Sequence, residues 1–431
     1  MSRASRPQRL HRRSLAVFTV LTALAAACGG GDGNPGAATD AGFTTMGMPG
    51  VPSPTRVGAN LVFADVSIDG KTGGRLGIDT GAPIVLVDAS KFAGLTFPAS
   101  QQRVTGDVTV GSLTIDDVPI VQKSFGSGMD PLNFAGLLGA DVMRQFLVRI
   151  DYAHPESAFR LGMPPTEMAT EGVETPGNSL TFTLQGGGLG KLDNGEVVAF
   201  VATRIPIDVL VDGVSHPFVL DTGASETTVR ASLFDTLTAD GRAQLTGLPI
   251  STVAGSSTAT VTRVRSLTAA GATVNNPVVM TIGDMLLDGL AMEVDHPVDG
   301  LLGGNYLREF MVTVDYPQGV LQLQRYTTPP IADEFKRVGV ELGLGGGAHH
   351  YVIARIYPGT DAAAKHLGVG DELVSVDGQA LDPLDSVTAD ALLNGAVGTS
   401  KALVLGNAHA AGLANASLAV LVDDLIPAPA P

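Results

Sequence analysis

The sequence predicts a mainly β protein: two tandem copies of one β-rich unit, followed by a small α/β unit. Alternating apolar segments that end in Asp-Thr-Gly-Ala occur twice, NLVFADVSIDGKTGGRLGIDTGAPIVLV from Asn60 and RIPIDVLVDGVSHPFVLDTGASETTV from Arg204. Downstream of each, GLLGADVMRQFLVRIDY (Gly136 to Tyr152) is matched by GLLGGNYLREFMVTVDY (Gly300 to Tyr316), with about half of the positions identical. Beyond Arg337 the pattern changes to a strand, a Pro-Gly turn, a short helix and GDELVSVDG.

Within each copy the period-two alternation reads as strands, and Asp69-Gly70 and Asp212-Gly213 mark hairpin turns. The second strand of each hairpin runs straight into an acid. Buried strands rarely end that way, because an isolated charge taken out of water is costly or changes its protonation state. The repeat supplies a reason. Asp79 and Asp221 hold equivalent places, and copies related by a pseudo-two-fold bring both acids to the shared axis. Two carboxylates in contact cannot both ionise cheaply, so the pair keeps one proton. One acts as a base on a water held between them, and the other donates to a substrate carbonyl. This chemistry needs neither metal nor cofactor. Gly81 and Gly223 let the chain turn closely beneath the carboxylates, with backbone N–H groups to hold them. Thr80 and Thr222 supply hydroxyls that can bond across the axis.

The apolar-apolar-Asp-Thr-Gly-Ala pattern, with Gly-Leu-Leu-Gly later in the same copy, resembles the aspartic peptidases of the pepsin and retropepsin type. The resemblance covers Asn60 to Tyr326. It implies a closed, mostly antiparallel β-barrel per half, with GLLG threading behind the catalytic loop. It also implies that Asp79 and Asp221 are the catalytic pair, with Thr80, Gly81, Thr222 and Gly223 as their supporting loops. Ala82 and Ala224 are the retropepsin-like choice where pepsins carry serine. Fewer hydrogen bonds to the charged form then predict a mildly acidic optimum. The interval from DTG to GLLG is longer in the second copy than in the first. It leaves room there for a glycine-tipped hairpin, STVAGSSTATVTRV, which looks like the substrate flap, with Gly255 and Ser256 near its tip. Pepsin-like enzymes carry their flap on the first half, so the arrangement is reversed. Pro83 stands where the second copy has Ser225.

The N-terminus reads as an export signal. Five arginines up to Arg13 precede the apolar run Leu15 to Ala27, which is too short to span a bilayer as a mature helix. Cys28, the chain's only cysteine, follows at once and resembles the lipid-attachment site of bacterial lipoproteins, although Leu24 stands one position further from it than such signals prefer. The expected organisation is a signal over 1–28, a tether over 29–56, half one over 57–163, a linker over 164–196 and half two over 197–328. A third unit over 336–422 and a loose tail, 423–431, complete it. The protein is expected on the periplasmic or cell-surface face of a bacterial membrane, attached by lipid alone.

The third unit resembles a bacterial-type PDZ domain, on Gly370-Asp371, the alternating Leu373, Val374 and Val376, and Asp377-Gly378. His366 replaces the glycine usual before the leucine. Such domains take an extended chain or C-terminus along a strand edge. The candidate carboxylate loop here is Gly343, Leu344 and Gly345, within the run to Gly347. A net charge of −16 argues against nucleic acid as a partner. GGGLGK (Gly186 to Lys191) lacks the flanking residues of a phosphate loop and reads as linker. The His349-His350 pair has no helix-spaced partner that would suggest a metal. Asp151 and Asp315 read as turn formers at strand ends.

The expected function is an exported aspartic endopeptidase acting on peptides or unfolded protein. Its PDZ-like unit would bind a peptide or C-terminus. The competing expectation is a non-catalytic cell-envelope adaptor that captures peptides.

Overall fold

The computed structural model describes residues 17–18, 42–125, 134–162, 172–252, 255–281, 283–345, 350–406 and 417–430. Apart from Val17 and Phe18, the export signal and Cys28 lie outside the described residues. The chain divides into a large unit, Val17–Ile331 together with Ala428–Pro431, and a small one over Ala332–Pro427.

In the first half, strands Leu61–Ile68, Arg75–Asp79, Val85–Val87, Arg103–Val110, Leu113–Gln122 and Phe134–Gly139 pair in a ring. Every neighbour closes on the next, giving a six-stranded barrel. Its first hairpin turns at Asp69 and Gly70, both at positive φ (50° and 70°). That is the turn whose twist matches paired strands, and Asp-Gly is among the few dipeptides that adopt it without large strain. The second half repeats the turn at Asp212 and Gly213. Strand Pro206–Val211 buries Ile207, Val209 and Val211 and turns Asp208 and Leu210 outward, as period-two alternation requires.

The second barrel differs from the expected closed one. Its long strands are interrupted: Gly255–Arg263 stops before Ser266–Ala269, and Ala272–Asn275 stops before Val278–Thr281. The sheet curls without a continuous ring. The two halves share a five-stranded sheet, in which Leu147–Ile150 pairs antiparallel with Phe310–Asp315.

The stretch expected to be plain linker is partly strand. Asn178–Thr181 extends the shared sheet through its pairing with Val320–Arg325. Gly188–Lys191 and Val197–Phe200 form a hairpin of their own, so most of GGGLGK is strand. Gly190 lies directly under the Phe200 ring, where a β-carbon would come within 2.3 Å of it.

The small unit has its own core of Val338, Val340, Leu342, Ile353, Leu373 and Leu403, among others. The expected strand, helix and strand appear as Tyr351–Ile356, Asp361–Ala364 and Leu373–Val376. Its end is not a loose tail from residue 423. Strand Ser417–Asp424 pairs Asp424 with Lys336, and Ile426 is fully buried. Among the described residues, no helix is long and apolar enough to cross a membrane.

Candidate active site

Asp79 closes strand Arg75–Asp79, and Asp221 directly follows strand Val214–Leu220. The GLLG segments run parallel to these strands, with Gly139 opposite Asp79 and Leu302 opposite Leu220. They wedge between the acid-bearing strand and the one that follows the loop. Each acid is thereby delivered into the interior, Asp79 wholly buried and Asp221 2% exposed.

The loops interlock. Thr80 N–H donates to Thr222 Oγ1 and Thr222 N–H to Thr80 Oγ1, both at 3.0 Å. Each hydroxyl donates onward to the opposite strand, Thr80 to the Leu220 carbonyl at 3.0 Å and Thr222 to that of Ile78 at 2.8 Å. The two halves are thus tied at the axis by reciprocal buried bonds. Gly81 and Gly223 have a reason beyond tight turning. A β-carbon on Gly81 would lie 2.6 Å from Asp221 Cγ, and one on Gly223 would lie 2.3 Å from Asp79 Cγ. Each carboxyl occupies the space that a side chain on the opposing loop would fill. The glycines let the two acids meet.

The acids are not equivalent. Gly223 N–H donates to Asp221 Oδ1 at 2.9 Å. Both Asp79 oxygens are buried, and the pull of the Gly81 backbone N–H is the smallest of the influences on this carboxyl. Burial first, then the Asp221 charge, pushes the Asp79 carboxyl well above the usual carboxylate range. Burial also raises Asp221, but the backbone N–H of Gly223 and contact with Asp79 oppose it and hold it to about 6. Both carboxyls are thus raised, and the pair can keep a proton where isolated carboxylates are ionised.

Arg204, named above only as the start of a repeat, is the residue that sequence reasoning missed. It is 1% exposed and donates from Nη1 to the carbonyl of Gly81. Nε and Nη2 make a two-pronged pair with Glu293, each at 2.9 Å, from helix Met285–Val294. Its charge lowers both acids, though less than burial raises them. The one signal available was an arginine set in the otherwise uncharged run VVAFVATRIPI.

The hairpin Gln244–Thr252 with Gly255–Arg263 rises from the second half, and Gly255 and Ser256 pair with Thr252 and Ser251 near its tip. The remaining tip residues lie outside the described residues. Ser225, opposite Pro83 in the repeat, is fully buried. Asp151 is more than a turn former. It takes the Tyr326 hydroxyl at 2.8 Å, His154 Nδ1 at 3.0 Å and Arg149 Nη2 at 3.3 Å. Burial raises its pKa, but these partners outweigh burial and leave it low. Asp315 does cap a turn, accepting from Gln318 N–H at 3.0 Å.

In the small unit, Gly343 and Leu344 do not form a loop. They are strand residues paired with Val352 and Tyr351, and Gly345 N–H is already bonded to the His350 carbonyl at 2.8 Å. Gly346 and Gly347 lie outside the described residues, as does His349. His350 faces Glu372 at 3.2 Å. Among the described residues, no cluster of His, Cys, Asp or Glu is placed to hold a metal ion.

Two β units of one repeat thus bring paired, buried acids together on interlocked loops. Residues 207–306, which include Asp221, the hairpin of Gln244–Thr252 with Gly255–Arg263 and the second GLLG segment, match the family described as aspartyl protease. The chain is similar to the crystal structure of aspartic proteinase from Irpex lacteus at 14% identity and a TM-score of 0.41, over 66% of this chain and 98% of that one. No curated protein matches it.

Proposed function

We propose that the protein is an aspartic endopeptidase in which Asp79 and Asp221 activate a water between them. The observation that carries this reading is the contact of two buried carboxyls, each seated against the other loop's glycine, with both pKa values raised. Asp221, the better stabilised anion, takes the proton of the water as it attacks the scissile carbonyl. Asp79 gives its proton to the carbonyl oxygen, forming a neutral tetrahedral diol. Collapse of the diol transfers a proton to the leaving nitrogen, breaks the C–N bond and returns the pair to one shared proton. In this reading the second-half hairpin closes over the peptide and excludes bulk water.

The amino-terminal pattern supports export and lipid attachment at Cys28, on the outer face of a bacterial membrane. The small unit supports a PDZ-like role, binding an extended peptide along strand Val340–Leu344. Helix Ser386–Ala391 packs close to that strand. A non-catalytic adaptor remains the second reading, favoured only by the missing outer flap strand of the first half. Incubation of the purified full chain with a mixed peptide library from pH 3 to 7, read by mass spectrometry, tests the proposal. New termini at internal peptide bonds support it. Peptides retained intact would move the reading to the adaptor.

A further inference from the structure

The two halves can be overlaid residue by residue through their pairings. Val85 pairs with Ile120 as Thr227 pairs with Val279, and Val104 pairs with Ile120 as Thr262 does with Val279. Arg103 is therefore the counterpart of Val261. In the second half the strand begins earlier, at Gly255, and pairs with Gln244–Thr252 to make the flap. In the first half it begins at Arg103, and the described residues between Asp88 and Gln102 contain one short 3-10 turn and no strand. The first barrel is cut off where its flap would rise.

That cut edge is occupied. The turn of the linker hairpin meets it at three points: Asn194 N–H to Gln102 Oε1 at 3.0 Å, Glu196 to Arg103 at 3.3 Å and Asp193 to Lys123 at 3.1 Å. The root of the hairpin is fixed at the other end of the site. Gln185 and Arg204 exchange backbone hydrogen bonds at 2.9 and 3.0 Å, and the Arg204 side chain holds the Gly81 carbonyl beside the acids. The hairpin thus runs from the catalytic loop to the truncated strand end. One of its faces is buried through Leu192 and Val198. The other leaves Leu189 52% and Val197 58% exposed.

We propose that hairpin Gly188–Phe200 serves as the substitute flap of the first half. Its open face, through Leu189 and Val197, grips apolar side chains of a bound peptide on that side of the scissile bond. The proposal rests on the peptidase reading given above. It explains why loss of a flap in the first half is compatible with an intact acid pair. Exposed ion pairs are individually weak, so the contacts at Arg103 and Lys123 let the hairpin lift and close.

The test is steady-state kinetics of the full chain on two cleaved peptides, one long and one trimmed to the residues flanking the cut. In Leu189→Ser/Val197→Ser, which alters only exposed positions, KM for the long apolar peptide should rise at least ~5-fold with kcat nearly unchanged, and the short peptide should be unaffected. Lys123→Asp or Asp193→Lys alone should raise the same KM, and the two together should restore it. An unchanged KM for the long peptide in the serine variant, with the parent active, overturns the inference and leaves the peptidase reading standing. An equal loss on both peptides assigns the hairpin a merely structural role and also overturns it. A parent that cleaves neither peptide removes the peptidase reading itself.

Discussion

Arg204 and Glu293 form a two-pronged ion pair, both contacts at 2.9 Å, inside the second half. The free prong of the arginine reaches across the axis to the Gly81 carbonyl of the first half. One cation therefore braces the loop of one acid from the body that carries the other. Its charge lowers the pKa of both acids. In Arg204→Met that opposition is gone, both pKa values rise, and the activity bell moves toward neutral pH. Glu293 is also left without its partner, at a cost of roughly 3 kcal/mol. A pH–rate profile beside a denaturant titration reads both effects. Arg204→Lys should restore part of the profile, since the charge returns without the fork.

A second relationship lies in the repeat. Asn305 accepts from Thr227 N–H at 2.8 Å through Oδ1 and donates to the Val278 carbonyl at 2.8 Å through Nδ2. Its counterpart in the first half is Asp141, where an acid can make the second bond only when protonated. Burial pushes Asp141 up from 3.8 to about 7, against backbone N–H groups of Val142 and Val85 that pull it down. A carboxyl raised on folding adds stability that is complete below pH 4 and is lost as pH climbs through 7. Asp141→Asn should therefore flatten the fall in thermal stability between pH 4 and 7. It should gain about 1–3 kcal/mol at neutral pH. Melting curves at both ends of that window check it.

In the small unit, His366 sits at φ 59°, at the end of the helix that precedes Leu367. A β-carbon is disfavoured in that left-handed conformation, and this is where glycine normally ends a helix. The side chain is exposed, so little packing is lost by removing it. His366→Gly should stabilise the unit by about 0.5–1 kcal/mol. A lower midpoint in urea would show that the ring makes contacts worth more than the strain.

The duplication was legible because it is written in identity: the DTGA loops, the GLLG segments and the Asp-Gly turns recur at matched places. The acid pair followed from symmetry alone. What escaped was whatever the repeat does not share. Arg204 has no copy in the first half, and its partner Glu293 is far along the chain, so no local pattern joined them. The hairpin Gly188–Phe200 is short and glycine-rich, with an alternation too brief to outweigh its linker composition. The Asp151 cluster depends on Tyr326 arriving from the other half through the shared sheet. Ile426 was lost among prolines, although it is fully buried beside the end of that unit. The glycines at 81 and 223 were expected for turning. Their closer reason, room for the opposing carboxyl, needed both loops in place.

The central claim is that Asp79 and Asp221 work as one unit. The most direct test is peptide cleavage by the full chain beside Asp79→Asn and Asp221→Asn, with thermal melts at pH 7 as the folding control. Both acids are raised by burial, so their stabilising share is lost as pH rises through their folded values, and each Asn variant should melt no lower than the parent at pH 7. The account predicts that each folded variant loses cleavage by at least ~100-fold. A folded variant of either residue that keeps cleaving at a rate close to the parent would contradict it.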